Sequence, residues 1–432
     1  MAITRISGVR SLVGAGSEIE DFSLVEPAPG SSSNSYSVTI RGHVVSVERR
    51  PLALELRCDG QPPTSIPNRL PRPDLAAAYP DVPWARTHSG FRASVSVLPF
   101  PNTFSAELFV VMDDKRRHPL AVIEGEHDSP PVLPGDVPPI IVTTLGRTGS
   151  TWVLDLLAHH PNVIAYPAFK GEVRCATYWA EVMTALTNPA SYFQGVRTRA
   201  VGPDWWMGKT RGFDIALEDD DLEDWLGRTQ VEVMAQFYKE RIDEFYRYLA
   251  VRLGCASPRY FAEKGLPTTR LALLRQLYPG LKEVFLVRDF RDMLASIFAY
   301  SRAKGVRSFG REKAESDEEY VRHYLGRDVN RLLTAWRDRH HEAYLLRYED
   351  LVTAPDDTLR DFLGHLDLDQ NDHAIDAMLR LAEGKRPKEE LVHRTTKTPQ
   401  DSLQRWQRDL DPELRAVSQE QFADALAAFG YE

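Results

Sequence analysis

Residues 140–152 read IleIleValThrThrLeuGlyArgThrGlySerThrTrp: an apolar strand, a loop carrying Gly146 and Gly149, and a helix start rich in hydroxyls. That order collects anions. Backbone N–H groups at a helix N-terminus have no intrahelical acceptor, glycines let an oxygen approach them, and the macrodipole adds positive potential. Arg147 brings a full charge, and Ser150 and Thr151 can each donate a hydroxyl hydrogen bond. A loop for ATP and magnesium needs Gly-x-x-x-x-Gly-Lys-[Ser/Thr]; here only two residues separate the glycines and no lysine follows the second. Taken alone, the segment also reads as a ligand-free glycine turn between a strand and a helix.

A second segment, ValPheLeuValArgAspPheArgAspMetLeuAlaSerIle at 284–297, ends a strand at Val287 and puts Arg288 at its carboxyl end, with Ser296 on the following helix. Ligands of open α/β sheets bind at the carboxyl ends of strands, so Arg288 is where a second phosphate could be held. The competing reading has Asp289, Arg291 and Asp292 in surface ion pairs of little consequence, with Arg288 among them.

The elements that position these residues follow from the rest of the chain. The sequence has 432 residues, 43% hydrophobic and 27% charged, which is enough to bury a large core and argues for two or three domains. Lys plus Arg number 53 against 62 Asp plus Glu, a net charge of −9, and no basic block stands out. Nucleic acid or an anionic membrane is therefore not the expected partner, although a basic phosphate pocket is allowed. Cys58, Cys175 and Cys255 make neither a disulfide framework nor a zinc ligand set. The first residues lack the apolar core of a signal peptide, and no apolar run is long enough to span a membrane; a cytoplasmic protein is the expectation.

Residues 1–135 carry short alternating apolar runs bounded by Gly, Pro, Asn and Asp, which predict antiparallel strands over 36–47, 52–56, 91–98, 104–112 and 119–123 in a β-sandwich-like domain. Ser31–Ser35 reads as a loop. The prolines within 124–139 mark the boundary. From 136 to 432 the pattern changes to strands followed by helices, an α/β domain with a mostly parallel sheet. Strands are predicted at 140–144, 282–287 and 343–348, and helices over 151–158 and 231–253, the latter from apolar residues at 231, 234, 238, 242, 245, 249 and 253. His159 and His160 fall at the end of the first helix, where they suit a C-terminal cap better than a base.

Together the two anion segments resemble the nucleotide-binding parts of the sulfotransferase superfamily over about residues 138–410. The resemblance implies a P-loop-like parallel sheet flanked by helices, and the cofactor 3′-phosphoadenosine 5′-phosphosulfate (PAPS). ArgThrGlySerThrTrp at 147–152 is similar to the family's loop for the 5′-phosphosulfate, which assigns Arg147, Thr148, Gly149, Ser150, Thr151 and Trp152 to it. Arg288 and Ser296 match the family's 3′-phosphate site, although Phe290 stands where proline is usual. ArgTyrGluAspLeu at 347–351 with AspPheLeuGlyHisLeu at 361–366, and SerLeuGlnArgTrpGlnArg at 402–408, follow in the family's order and add Arg405 and Trp406 to the cofactor site. Arginine at 147, where many members have lysine, is closer to the carbohydrate and bacterial branches than to the cytosolic aryl branch.

The resemblance also implies in-line transfer of a sulfuryl group with no metal, leaving adenosine 3′,5′-bisphosphate. Arg147 would neutralise the leaving phosphate, and Glu172, shortly after the first helix, would take the acceptor proton, with Lys170 as a catalytic partner. Glu172 equally reads as a solvated acid opening a helix. Lys264, in AlaGluLysGlyLeuPro at 262–267, is a plausible active-site cation, and His393 a weaker candidate. Residues 175–255, with Trp179, Tyr192, Phe193, Trp205 and Trp206, are expected to line an acceptor pocket, or simply to pack. The acid run at 218–224 reads as a solvated helix start. The acceptor implied is a small molecule or glycan: a hydroxyl of a glycan, glycolipid or glycosylated natural product. The N-terminal β region resembles accessory domains of bacterial glycan-modifying enzymes, which leans the same way. The alternatives are a nucleoside or small-molecule kinase with an irregular loop, and a nucleotide-binding module without catalysis.

Overall fold

The computed structural model describes residues 2–14, 17–58, 61–135, 137–166, 173–187, 225–383, 395–396 and 398–431. The chain forms two compact units: Met1–Pro134 with Tyr178–Arg241 and Arg270–Leu277, and Gly135–Thr177 with Ile242–Thr269 and Tyr278–Glu432.

Among the described residues the first unit holds two antiparallel sheets. One runs β3 (Ser32–Ser33), β1 (Thr4–Ser11), β9 (Arg117–His127), β8 (Thr103–Met112), β5 (Pro51–Cys58), β6 (Thr64–Pro67); the other runs β2 (Asp21–Glu26), β4 (Ser37–Val45), β7 (Gly90–Ser96). Alternation explains the pairing of faces. Phe104, Ala106, Leu108, Val110 and Met112 of β8 point inward while their neighbours face out, and they share one core with Val38, Ile40 and Val44 of β4 and Phe91, Ala93 and Val95 of β7. The strands expected at 36–47, 52–56, 91–98, 104–112 and 119–123 correspond to β4, β5, β7, β8 and β9. β1, β2 and β6 were not legible in the alternation, because arginines, glycine and proline interrupt it. Ser31–Ser35 is not wholly loop: Ser32 and Ser33 pair with Arg5 and Thr4.

Two later stretches join this unit through specific bonds. Tyr36 donates its N–H to Gly227 O at 2.8 Å and its hydroxyl to Glu232, while the Gln276 amide donates to Leu98 O and Phe100 O at 2.9 and 3.1 Å. Trp179 stacks on Tyr238 with ring centroids 5.1 Å apart. Of the aromatic residues expected to line an acceptor pocket, Trp179 is thus in a packing contact, and Tyr192, Phe193, Trp205 and Trp206 lie outside the described residues, as does the acid run 218–224.

The second unit is built on a parallel sheet in the order β11 (Val163–Ile164), β12 (Tyr260–Gly265), β10 (Pro139–Thr144), β13 (Lys282–Val287), β14 (Ala343–Arg347). β10 is buried throughout, as a central strand covered on both faces must be. Phe285 and Val287 of β13 enter one core with Phe290, Met293, Phe422 and Phe429; Val284 and Leu286 enter the other with Ile140, Val142, Val153, Leu157 and Phe362. The register brings Thr144 beside Leu286 and Val287 beside Arg347, so the residues after β10, β13 and β14 emerge side by side.

The long helix Gln230–Leu253 has Val231, Ala235, Tyr238, Ile242, Tyr246 and Leu249 buried. The expected stripe drifts from it, and Leu253 at its end is exposed, because a 3.6-residue period moves round the helix over six turns. β12 was not read as a strand, since Glu263 and Lys264 break its apolar run. Glu263 is fully buried there: it accepts from Ala176 N at 2.7 Å, Thr177 N at 3.1 Å, the Thr177 hydroxyl at 3.2 Å and the Tyr246 hydroxyl. It thereby caps the helix Cys175–Thr187 from across the fold. Among the described residues no helix is long and apolar enough to cross a membrane, and no cluster of three or more His, Cys, Asp or Glu is arranged for a metal ion.

Candidate functional site

The loop after β10 takes the shape its glycines permit. Arg147 and Gly149 both have left-handed backbone, φ 69° and 97°, and the helix Ser150–Ala158 begins directly after Gly149. At Gly149 a side chain would also strike Tyr348, whose ring lies 2.5 Å from an ideal Cβ. Among the described residues the N–H groups of Gly149, Ser150 and Thr151 meet no backbone or side-chain acceptor. Thr148 does something different from its neighbours. Its hydroxyl is buried against Thr144 Oγ1 at 2.6 Å and Leu145 O at 3.1 Å, so its side chain braces the loop and only its main chain can face a ligand.

Three arginines converge here. The Arg147 Nε donates to Ser296 Oγ at 3.2 Å; Ser296 Oγ lies 3.5 Å from Thr395 Oγ1, which accepts from Arg405 Nη1 at 2.8 Å. Arg288 donates through Nη2 to Ser402 O at 2.6 Å and through Nη1 to Arg147 O at 3.4 Å. Its Nε is buried and has no acceptor among the described residues. Burial, together with the charges of Arg288 and Arg405, pushes the Arg147 pKa down to about 10. Arg405 is paired with Asp409 at 2.7 Å.

Asp289, Arg291 and Asp292 are not a surface network. All are buried, since the helix Phe290–Lys304 packs them under the C-terminal segment. Asp289 caps that helix through Arg291 N and pairs with the Arg291 guanidinium at 2.7 Å; Arg291 in turn covers the Trp406 ring at 4.3 Å. Burial raises Asp292 to about 6, against the pull of Trp406 N, Arg288 and Gln404 N. Trp406 therefore meets Arg291 through its ring and Asp292 through its N–H.

Tyr348 joins the two strand ends. Its ring carries the Arg288 guanidinium at 4.8 Å, meets Trp152 edge-on at 5.9 Å and backs Gly149, and its hydroxyl reaches Ser402 Oγ at 3.1 Å. Tyr300 lies under the Arg147 guanidinium at 4.9 Å. Sequence reasoning gave Tyr348, Tyr300 and Thr395 no part in the site; Tyr348 stood at the end of the strand predicted at 343–348 and inside the ArgTyrGluAspLeu segment at 347–351.

Other candidates fall elsewhere. His159 closes the helix Ser150–Ala158, with Nδ1 2.7 Å from Asp155 O, and His160 is buried with Nε2 3.1 Å from Asp369 O. Lys264 lies on β12 opposite Val142. Glu172, Lys170 and His393 lie outside the described residues.

The arrangement presents two groups of hydrogen-bond donors: the N–H groups of Gly149, Ser150 and Thr151 with Arg147, and Arg288 with Ser296. Residues 138–373 match the model of a sulfotransferase family. No curated protein sequence matches. Among solved structures, the chain is similar to the sulfotransferase domain of the Synechococcus PCC 7002 olefin synthase, at 17% identity and a TM-score of 0.40 over 71% of this chain and 99% of that one. It is also similar to a mouse sulfotransferase complexed with PAP, at 13% identity and a TM-score of 0.36 over 67% and 84%. A third is a Mycobacterium avium sulfotransferase, at 16% identity and a TM-score of 0.34 over 69% and 78%. The family match spans more than half of the chain, so this protein belongs to the sulfotransferase family and is an enzyme of that class.

Proposed function

We propose that the protein transfers a sulfuryl group from PAPS to a hydroxyl of a small-molecule or glycan acceptor, a glycan, glycolipid or glycosylated natural product, and releases adenosine 3′,5′-bisphosphate. The observation that supports this reading is the cluster of the partly buried Arg147 with the buried Arg288 and Arg405 around Ser296 and Thr395, next to three N–H groups that meet no acceptor among the described residues. Such a cluster suits a ligand with two separate anionic ends. Burying like charges together costs free energy that bound phosphates would offset.

The 5′ end would lie on the N–H groups of Gly149, Ser150 and Thr151 and on Arg147; the 3′-phosphate would lie on Arg288 and Ser296. PAPS, when bound, supplies an activated sulfuryl group on a phosphate leaving group. Arg147 neutralises charge that develops on that phosphate, and burial strengthens its effect. Its left-handed backbone holds the loop open for the approach. Glu172 is the proposed base for the acceptor proton, with Lys170, two residues before it, as a catalytic partner. Tyr348 keeps Arg288 and the loop in register. Tyr348→Phe, which removes one hydroxyl bond to Ser402, is expected to weaken adenosine 3′,5′-bisphosphate binding by about fivefold in calorimetry.

The reading is tested by incubating the protein with PAPS and a panel of sugar, glycolipid and phenolic hydroxyl acceptors. Sulfated acceptor is read by mass spectrometry, and released adenosine 3′,5′-bisphosphate by chromatography. Transfer without added magnesium is the expected result. Phosphoryl transfer from ATP with magnesium, and none from PAPS, would overturn it in favour of a kinase; tight bisphosphate binding with no acceptor turned over, and output unchanged in Glu172→Ala, would favour a binding module.

A further inference from the structure

We propose that Asp292 is a positioning residue of the sulfuryl-transfer site, its carboxylate holding the segment 402–406 so that Ser402 and Arg405 are set against Arg288 and Thr395. The proposal rests on the PAPS reading above. Asp292 lies in the helix that follows Arg288 and is almost fully buried, and both its oxygens are used: Oδ2 accepts from Gln404 N at 2.7 Å and Oδ1 from Trp406 N at 2.9 Å.

Gln404, between Ser402 and Arg405, has a left-handed backbone with φ 50°, an unfavourable state for a residue with a side chain, which persists only where its surroundings hold it. The Asp292 carboxylate is what holds it, one oxygen on each side of Arg405. The flanking residues then do two separate things. Ser402 offers its carbonyl to Arg288 Nη2 at 2.6 Å, and Arg405 reaches Thr395 Oγ1 at 2.8 Å, which leads on to Ser296 and Arg147. Asp292 thus acts on the arginines through the backbone of one tight turn. The charged groups around it are Arg288, which favours its ionised form, and Asp289, which opposes it; Asp289 is itself paired with Arg291.

A carboxylate that only stabilised the fold would, when replaced, weaken every ligand alike. A positioning carboxylate affects the end of the ligand that Arg288 and Arg405 serve. Asp292→Asn keeps the shape and one acceptor, whereas Asp292→Ala removes both. The test uses the full chain in two measurements: hydrogen exchange of the amides of residues 402–406 without ligand, and calorimetric affinities for adenosine 3′,5′-bisphosphate and ADP without magnesium. Exchange at Gln404 and Trp406 is expected to rise in Asn and more in Ala, while that of Ile141 and Val142 stays unchanged. The preference for the bisphosphate is expected to fall by about tenfold or more in Ala and by less in Asn, with ADP affinity retained.

Unchanged protection of 402–406, or an equal loss of both ligands, or a preference intact in both variants, would overturn the positioning role alone. A wild type that shows no preference for the bisphosphate would overturn the PAPS reading, and with it this role. Should Asp292→Ala not fold, Asp292→Asn carries the same comparison.

Discussion

In Arg288→Ala the preference for adenosine 3′,5′-bisphosphate over ADP, measured by calorimetry without magnesium, is expected to vanish. In the wild type that preference should be roughly tenfold to over a hundredfold, because a charge-assisted hydrogen bond to a phosphate contributes about 1.5–3 kcal/mol. Arg288 is suited to deliver it. The end of β13 carries it, Tyr348 supports its plane, Ser402 O and Arg147 O orient it, and its Nε has a proton to give and no acceptor among the described residues. Arg288→Lys keeps the charge but not the planar fork, and should recover only part of the preference. Equal affinities in the wild type, or a preference that survives in Arg288→Ala, would remove the 3′-phosphate from this site.

The largest loss of stability is expected at Glu263, which lies outside the anion cluster. Glu263→Ala strips the acceptor from Ala176 N, Thr177 N and the Tyr246 hydroxyl, while the Thr177 hydroxyl keeps Arg174 O at 3.2 Å. Each donor left buried and unsatisfied costs about 1–3 kcal/mol, so a loss of about 3 kcal/mol or more is expected, read as a lower urea midpoint at constant slope. Burial pushes the Glu263 pKa up, while the Tyr246 hydroxyl and the Ala176 and Thr177 groups pull it down. Glu263→Gln should also destabilise, because an amide N–H turned toward backbone N–H groups cannot accept. A loss under about 1 kcal/mol in Glu263→Ala would show that these donors find other acceptors.

Much of the fold was readable locally. The β-rich character of the first part, the strand, glycine loop and helix at 140–158, and the strands at 282–287 and 343–347 all follow from periodicity within a few residues. β12 is hard to read locally because an acid and a base occupy a strand buried in a parallel sheet; the Glu263 partners at 176, 177 and 246 help make that tolerable. The sequence pattern places one boundary, between 135 and 136. The division into units was not legible at 178–241 and 270–277, which cluster with the first unit through bonds such as Gln276 to Leu98 O.

By itself the sequence determined the chemistry on offer: an anion-collecting loop with Arg147, a second arginine at a strand end, hydroxyl groups beside both, and no lysine for ATP. These depend on residue type and short spacing, which the backbone turns into geometry without help from distant residues. Tertiary structure alone decided the contacts by which Arg147 and Arg288, 141 residues apart, meet, that Asp289, Arg291 and Asp292 are buried, and that Tyr348 lies against Arg288 and Thr395 against Arg405. The reason is the pairing of β10, β13 and β14. Register between strands far apart in the chain sets which side chains meet at their carboxyl ends, and no local pattern records that register.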